Sequence, residues 1–485
     1  MKNIIKIFSF VSVLFLSVSC SNLSTDLEVE NLENPNDKIL TSDPVALTAT
    51  AGTIMQNWFL TVHEYDGPGL ALITMSDAVT MSYGNAGMRD LSSEPRVAFN
   101  NTSSYSNQII TSKYFNSLYS VLSDSNTLAL AVKNGTKFEN SKQIEMTAKL
   151  GQALSIGYLA LVFDKVWLSD ENGVVGEGAS DYKVAMTFAL TKLDEAIAIA
   201  NANNISFPEN WLPGGGGTAT KLKQFMNSMG ARMLVGNVRN STQKAAIDWT
   251  KVLAYANAGV TSDFEIYMDD TTWYSYAPHT YAIYGGWGRV DMRIINMMDP
   301  NTPAYWTDTY TQPNPSTSAD ARLLTDYQFL PSNTFAVARG KYHFSSYRYK
   351  RQDSYITNWT ENIVELSKAE NDMFKAEALA HKNDLAGAAA VINAGTRVTR
   401  GNLAPVAADL AAIKSAIHYE RMVEFAYTGM GITFFEMRKE NLLQKGTLLH
   451  FPIPGKALEA IPAANYTYGG TDGVAGEDYS NTGWR

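Results

Sequence analysis

The chain has 485 residues, 48 Asp and Glu against 39 Lys and Arg, a net charge of −9 and a single cysteine. That balance argues against a nucleic-acid partner, which needs clustered cations for its phosphates. One thiol excludes a disulfide within the chain. The length allows two or three ordinary domains or one large one, with a core that needs no covalent staples.

The first segment reads as an address. Lys2 and Lys6 precede the apolar run 7–18, and small residues stand at Ser17 and Ser19 before Cys20. A basic start, a short apolar core and a small-residue cleavage site describe a signal peptide over 1–19. The run is too short for a membrane span of about 20 residues. A sole cysteine at the cleavage point predicts a bacterial lipoprotein with Cys20 as the lipid attachment site. Residues 20–44 are polar and predict a tether, with one body over 45–485. No later stretch holds 18 uninterrupted apolar residues.

Residues 45–75 read as weakly helical. From about 140 a helical period is plain. Leu150, Leu154, Tyr158 and Leu161 form one apolar face, and Met186, Leu190, Leu193 and Ile197 repeat the spacing. Leu222, Phe225, Met229 and Met233 mark another, and Leu366, Ala369, Met373, Ala376 and Ala380 stripe a further helix with small residues. The helices arrive as pairs: 140–165 with 181–202, 218–237 with 243–258, and 360–381 with 384–397. The expected fold is mainly α, a tetratricopeptide-like helix-pair scaffold over 140–258 and 360–427.

Between 261 and 360 the helical period fails. Prolines at 278, 300, 303, 313, 315 and 331 punctuate this stretch, and Trp273, Trp287 and Trp306 stand among tyrosines. A segment this long without regular structure is functional or disordered, and its aromatic content argues for order. Sugars present flat C–H faces and a ring of hydroxyls. Aromatic faces cover the former, and Asn, Asp and Arg bond the latter. Trp273, Tyr274, Tyr276, Tyr281, Tyr284 and Trp287 supply the first ingredient, and Arg289, Asp291 and Arg293 the second. The earlier loop 82–96 adds Tyr83, Asn85 and Arg89. Tyr83, Asn85, Arg89, Trp273, Tyr276, Trp287, Arg289 and Asp291 are the eight candidate ligand-binding residues, and Tyr83, Arg89, Trp273, Trp287 and Arg289 are expected to converge on one exposed face.

Four stretches carry a resemblance to a known family. The N-terminus combines the lipoprotein-like cysteine with Asn34, Pro35 and Asn36. Residues 149–167 (KLGQALSIGYLALVFDKVW) form a first long helix with an aromatic end. Residues 370–397 (ENDMFKAEALAHKNDLAGAAAVINAGTR) form a late helix pair. Residues 417–438 (IHYERMVEFAYTGMGITFFEMR) precede 450–454 (HFPIP), a Pro-x-Pro strand. In this order they resemble the SusD/RagB nutrient-binding lipoproteins of the Bacteroidetes outer membrane. The resemblance implies a glycan-binding lipoprotein at the cell surface that delivers oligosaccharide to a SusC-type TonB-dependent transporter. Its RagB branch implies peptide capture as the alternative. The first acid after Cys20 is Asp26, whereas some surface-exposed lipoproteins of this group carry acids directly after the cysteine.

Enzyme readings are weak. The six histidines include no pair four residues apart and no His-Glu-x-x-His motif. There is no Gly-x-Ser-x-Gly elbow. The glycines at 214–217 follow Pro213 rather than a strand, so they read as a turn and not a nucleotide cradle. Asp269, Asp270, Asp291 and Asp299 are the only loop acids that suggest a glycosidase pair, and solvated loop acids are far commoner. No catalytic residue, metal or cofactor is expected. Glu420, Arg421, Glu424 and Arg438 read as an internal ion-pair network rather than a ligand site.

Overall fold

The computed structural model describes residues 43–81, 85–276, 281–305, 315–331 and 343–471. Cys20, the expected tether up to residue 42, and Trp306 lie outside these residues, and the last two tether positions, Asp43 and Pro44, already cap and begin the first helix. The longer helices are α1 (Pro44–His63), α2 (Ile109–Lys133), α3 (Ser141–Val162), α4 (Tyr182–Ala202), α5 (Ala219–Gly236), α6 (Trp249–Asn257), α7 (Lys368–His381), α8 (Leu385–Ala394), α9 (Leu410–Val423) and α10 (Ile432–Lys439). The strands are short: β1 (Val79–Met81), β2 (Lys165–Asp170), β3 (Gly173–Asp181), β4 (Phe264–Met268), β5 (Gly288–Val290), β6 (Tyr327–Phe329), β7 (Tyr347–Tyr349) and β8 (Glu361–Leu366). They form four two-stranded antiparallel sheets: β1–β5, β2–β3, β4–β8 and β6–β7.

The mainly α, helix-pair reading holds. Helix α3 packs between α2 and α4, α5 packs on α6, and α7 on α8. From Leu150 to Val162 every residue of α3 is buried, as befits a helix that is apolar on all sides. Close approach is written into two of its glycines. A Cβ on Gly151 would stand 2.1 Å from the Ser125 hydroxyl of α2, and one on Gly157 would stand 2.2 Å from the Met233 sulfur of α5. Each neighbour can come this near only because the side chain is missing.

Three expectations change. Residues 45–75 are firmly helical through His63, because Asp43 caps the first turn by accepting from Val45 N–H at 2.8 Å and Pro44 presets its φ. Leu366 does not lie on a helix. It ends β8, and α7 begins after Ser367, whose hydroxyl accepts from Glu370 N–H. The segment 261–360 contains β4 to β7 and the short helices Met292–Met298, Arg322–Thr325 and Asp353–Asn358, so it is irregular but not featureless.

The C-terminal motifs act as stitches. Phe451 N–H donates to Val162 O at 2.8 Å, and Asp164 N–H donates to Phe451 O at 2.9 Å, so the Pro-x-Pro segment, expected as a strand, makes only an isolated bridge at Phe163 and closes over the end of α3. Buried Arg438 donates to the carbonyls of Leu161, Leu449 and Gly236 at 3.2, 2.6 and 2.6 Å. It therefore joins three chain segments through carbonyls and stands apart from the ion-pair network expected of it.

A smaller core cluster gathers Met373, Ala376, Ile392, Ile413 and Ile417 from α7, α8 and α9. Met373→Asp places an unpaired carboxylate there, which costs several kcal/mol. The melting temperature of this variant is expected to fall sharply, and an unchanged value would show that the stripe faces solvent.

Candidate functional site

The site begins where β4 ends. The Asp269 carboxylate accepts from the backbone N–H groups of Thr271, Thr272 and Trp273 at 2.9, 2.7 and 2.8 Å. Burial alone would raise its pKa, but these donors hold it below the usual carboxylate range. The tight turn sends the chain back along the body as a short extended run. Side chains then alternate, Trp273 in, Tyr274 out, Ser275 in and Tyr276 out.

The inward residues are anchored. Trp273 is only 4 % exposed and packs on Phe59 of α1 with ring centres 5.6 Å apart. Ser275 Oγ lies 3.0 Å from His63 Nδ1, and its N–H donates to the Tyr355 hydroxyl at 3.2 Å. Tyr276 N–H donates to His63 O at 3.2 Å. His63 is itself fixed, its Nε2 2.6 Å from Glu365 of β8. Glu365 in turn receives Arg232 of α5 at 2.7 Å, and Arg232 also bonds Glu370 at 2.7 Å.

The outward residues gather. Tyr274 and Tyr276 stack at 4.7 Å with 24° between planes. Tyr281 lies 4.3 Å from Tyr65, meets Tyr276 edge-on at 6.4 Å and meets Trp287 edge-on at 5.0 Å. Trp359 meets Tyr276 edge-on at 6.3 Å. All six rings are half-buried. Trp359 ends the helix Asp353–Asn358 with φ at +59°, a left-handed backbone unusual for an aromatic residue. Glu64 and Asp66 border the patch, and Lys113 of α2 bridges them at 3.1 and 3.5 Å.

Of the eight expected ligand residues, Tyr276 and Trp287 come together here. Trp273, Arg289 and Asp291 do not share the exposed face, and this is a correction with a physical reason for each. Trp273 belongs to the core of α1. Arg289, 1 % exposed, lies in β5 opposite Thr80 of β1 and donates through Nε to Gly285 O at 2.6 Å. Burial and the nearby Arg348 push its pKa down. Asp291, 3 % exposed, caps Met292–Met298 by accepting from Arg293 N–H at 2.9 Å and also accepts from Thr80 Oγ1 at 2.7 Å. Arg89 is exposed on the short helix Met88–Leu91, its Nε 3.9 Å from Asp90. Tyr83 lies outside the described residues, and of Asn85 only the backbone, opening the turn Asn85–Gly87, is described. Tyr274 and Tyr281 belong to the aromatic run the sequence singles out, though not to the eight candidates, and the rings it did not mark are Tyr65 and Trp359.

The loop acids serve the backbone. Asp299 accepts from Thr317 and Asn301 N–H at 2.9 and 3.1 Å. Burial would raise its pKa and these donors lower it, opposite to what a general acid needs. A cleft of about 560 Å³ lies elsewhere, between α7, α9 and α10. Most of its charges are spent on neighbours, with Glu377 paired to Arg421 and Lys439, each at 2.7 Å, and Lys244 to Glu440 at 2.6 Å, while Lys414 stays exposed. It offers no aromatic platform beyond His381, which stacks on Trp249 at 4.1 Å.

Among solved structures, the chain shares the fold of SusD-superfamily proteins. A SusD superfamily protein from Bacteroides vulgatus is 14 % identical with a TM-score of 0.61, over 87 % of this chain and 98 % of that one. A SusD-like carbohydrate-binding protein from Bacteroides fragilis is 13 % identical with a TM-score of 0.58, over 82 % and 86 %. The surface glycan-binding protein A from Bacteroides uniformis is 14 % identical with a TM-score of 0.56, over 86 % and 98 %. No protein-family model and no curated protein sequence matches the chain.

The carboxylates that brace this region set an acid limit. Burial alone would raise Glu365, but His63 and Arg232 hold it below its usual value. Glu377 is likewise lowered against burial, to about 2, by Arg421 and Lys439. A carboxylate with a depressed pKa stabilises the fold above its unfolded value of 4.5, and that stability is lost as pH falls through the folded value. Thermal melts are expected to be flat with respect to these groups above that pH and to fall steadily between it and about 2. A melting temperature unchanged across that acid range would refute the assignment.

Proposed function

We propose that the chain is a cell-surface lipoprotein of the SusD/RagB type. In this reading it captures an oligosaccharide and passes it to a SusC-type TonB-dependent transporter of the outer membrane. The observation that carries the reading is the six-ring face of Tyr65, Tyr274, Tyr276, Tyr281, Trp287 and Trp359. Half-buried rings present flat apolar area at fixed positions, which suits the C–H faces of sugars, and their polar tips with Glu64 and Lys113 suit the hydroxyls. The carbohydrate-binding and glycan-binding descriptions of two solved structures with this fold support the same ligand class. Three of the four loop acids, Asp269, Asp291 and Asp299, are occupied by backbone donors, which favours capture over hydrolysis.

The address and the partner rest on the sequence. Cys20 is the proposed lipid anchor, and two or more acyl chains suffice for stable attachment. Among the described residues no helix is long and apolar enough to cross a membrane. Ligand passage is therefore assigned to a separate barrel, with this chain as the receptor above it.

A glycan and peptide binding screen on the chain from residue 20 onward tests the reading. Binding of an oligosaccharide without product formation is expected. Stacking contributes about 1 kcal/mol per ring, so Trp287→Ala should weaken that binding about fivefold. Trp359→Gly, which keeps the left-handed backbone comfortable, should do the same. Peptide binding alone would favour the RagB-like alternative, and released monosaccharide would favour a hydrolase. Cys20→Ser should release the protein from the membrane fraction, and a transporter should co-purify with wild type after gentle detergent extraction. A membrane-bound Cys20→Ser protein, or cross-linking that finds no barrel partner, would overturn the address or the partnership.

A further inference from the structure

Beside the aromatic face, α1 and α2 leave a groove of about 250 Å³. Its walls are polar and its floor apolar. Asn57, Thr61 and Glu64 line it from α1 and the residue that follows, and Lys113 and Ser117 line it from α2 over the buried ring of Tyr114. The groove and the face are continuous through the chain itself. Glu64 lines the groove, and the next residue, Tyr65, packs on Tyr281 of the face. Glu64 and Lys113 also lie close enough to Tyr274 to influence its hydroxyl electrostatically.

Two properties of the groove select a ligand chemistry. The first is its donor and acceptor set. Thr61 Oγ already donates to Asn57 O at 2.7 Å and keeps its lone pairs. The Asn57 amide and the Ser117 hydroxyl make no hydrogen bond to other described residues. The ammonium of Lys113 is half-exposed between two carboxylates. Together these supply donors and acceptors of both kinds over an apolar floor, as a polyhydroxylated ring requires. The second is charge. Glu64 and Asp66 outnumber Lys113, and Asp270 adds a further negative charge near Tyr276. An anionic ligand would be repelled there. Arg289, the nearby cation on β5, is buried beneath the turn and does not face the groove.

Resting on the glycan reading above, we infer that the α1–α2 groove is an extension subsite that takes an uncharged sugar ring, so that the site as a whole selects neutral over acidic oligosaccharides. Calorimetric titration with two panels tests this. One panel holds neutral hexasaccharides of the malto-, xylo-, manno- and laminari- series. The other holds oligogalacturonate and chondroitin sulfate hexasaccharides. The tightest binder is expected in the neutral panel. Ser117→Trp, which fills the groove, is expected to weaken it about fivefold or more. Asn57→Ala, at an exposed position where folding is not at stake, is expected to weaken it by a smaller factor. Circular dichroism checks the fold of each variant. If an acidic hexasaccharide binds best, the inference is wrong. If Trp287→Ala weakens binding while both groove variants bind as wild type does, the aromatic face stands and the subsite falls. If neither panel binds at all, the glycan reading itself falls and takes the subsite with it.

Discussion

One buried chain of charge connects the helical scaffold to the aromatic face. Arg232 of α5 holds Glu365 of β8 and Glu370 of α7, and Glu365 holds His63 at the end of α1. His63 then fixes Ser275 through its ring and Tyr276 through its carbonyl. Four segments far apart in sequence meet at this line, and the rings at 274 and 276 point outward because 275 is held inward. Removing one partner of a buried pair leaves the other charged and unsolvated, at a cost of about 3–5 kcal/mol. The same line that stabilises the body therefore sets the orientation of the candidate site.

A second network does comparable work for the rest of the irregular segment. Arg322 bonds Asp320, Glu420 and Glu424 at 2.8, 2.8 and 3.0 Å with no exposure to solvent. Arg351 reaches Glu424 at 2.8 Å, and Arg400 reaches Asp326 at 2.7 Å. These contacts pin residues 320–326 and 351 to α9. Pairs of this kind add little net stability over an apolar core of the same volume, but they are intolerant of the wrong register. Short two-stranded sheets such as β6–β7 are marginal alone, so the network supplies the positional definition that the sheets lack.

The aromatic face also shows how a cluster of half-buried rings coexists with a stable core. Its rings are half-buried, so each is braced by a neighbour while part of its surface reaches solvent. Trp273 and Tyr355 sit beneath it as ordinary core residues. Rigid platforms lose little conformational freedom when a ligand arrives, which is what allows a shallow surface to bind at all. The α1–α2 groove adds hydroxyl-bonding groups where the rings end.

Much of this was legible in the sequence. Helical periodicity marked α3 to α7, because a buried face repeats every third and fourth residue whatever it packs against. Composition set apart 261–360, because aromatic residues without a helical period have few other roles. Tyr274, Tyr276, Tyr281 and Trp287 were identifiable on that basis. Local pattern does not say which side of a segment faces the core. Trp273 and Tyr274 are equally aromatic and adjacent, and only the turn made by Asp269 and the position of Phe59 sends one inward. Arg289 and Asp291 read as hydroxyl-binding groups until β5 pairs with β1 and buries both. Trp359 and Tyr65 join the face from 72 or more residues away, measured from Trp287, through contacts that no local spacing encodes. The sequence by itself determined the helices and the chemistry available. Tertiary structure alone decided which aromatic faces stayed exposed, because exposure depends on what packs behind each ring, and those partners come from distant parts of the chain.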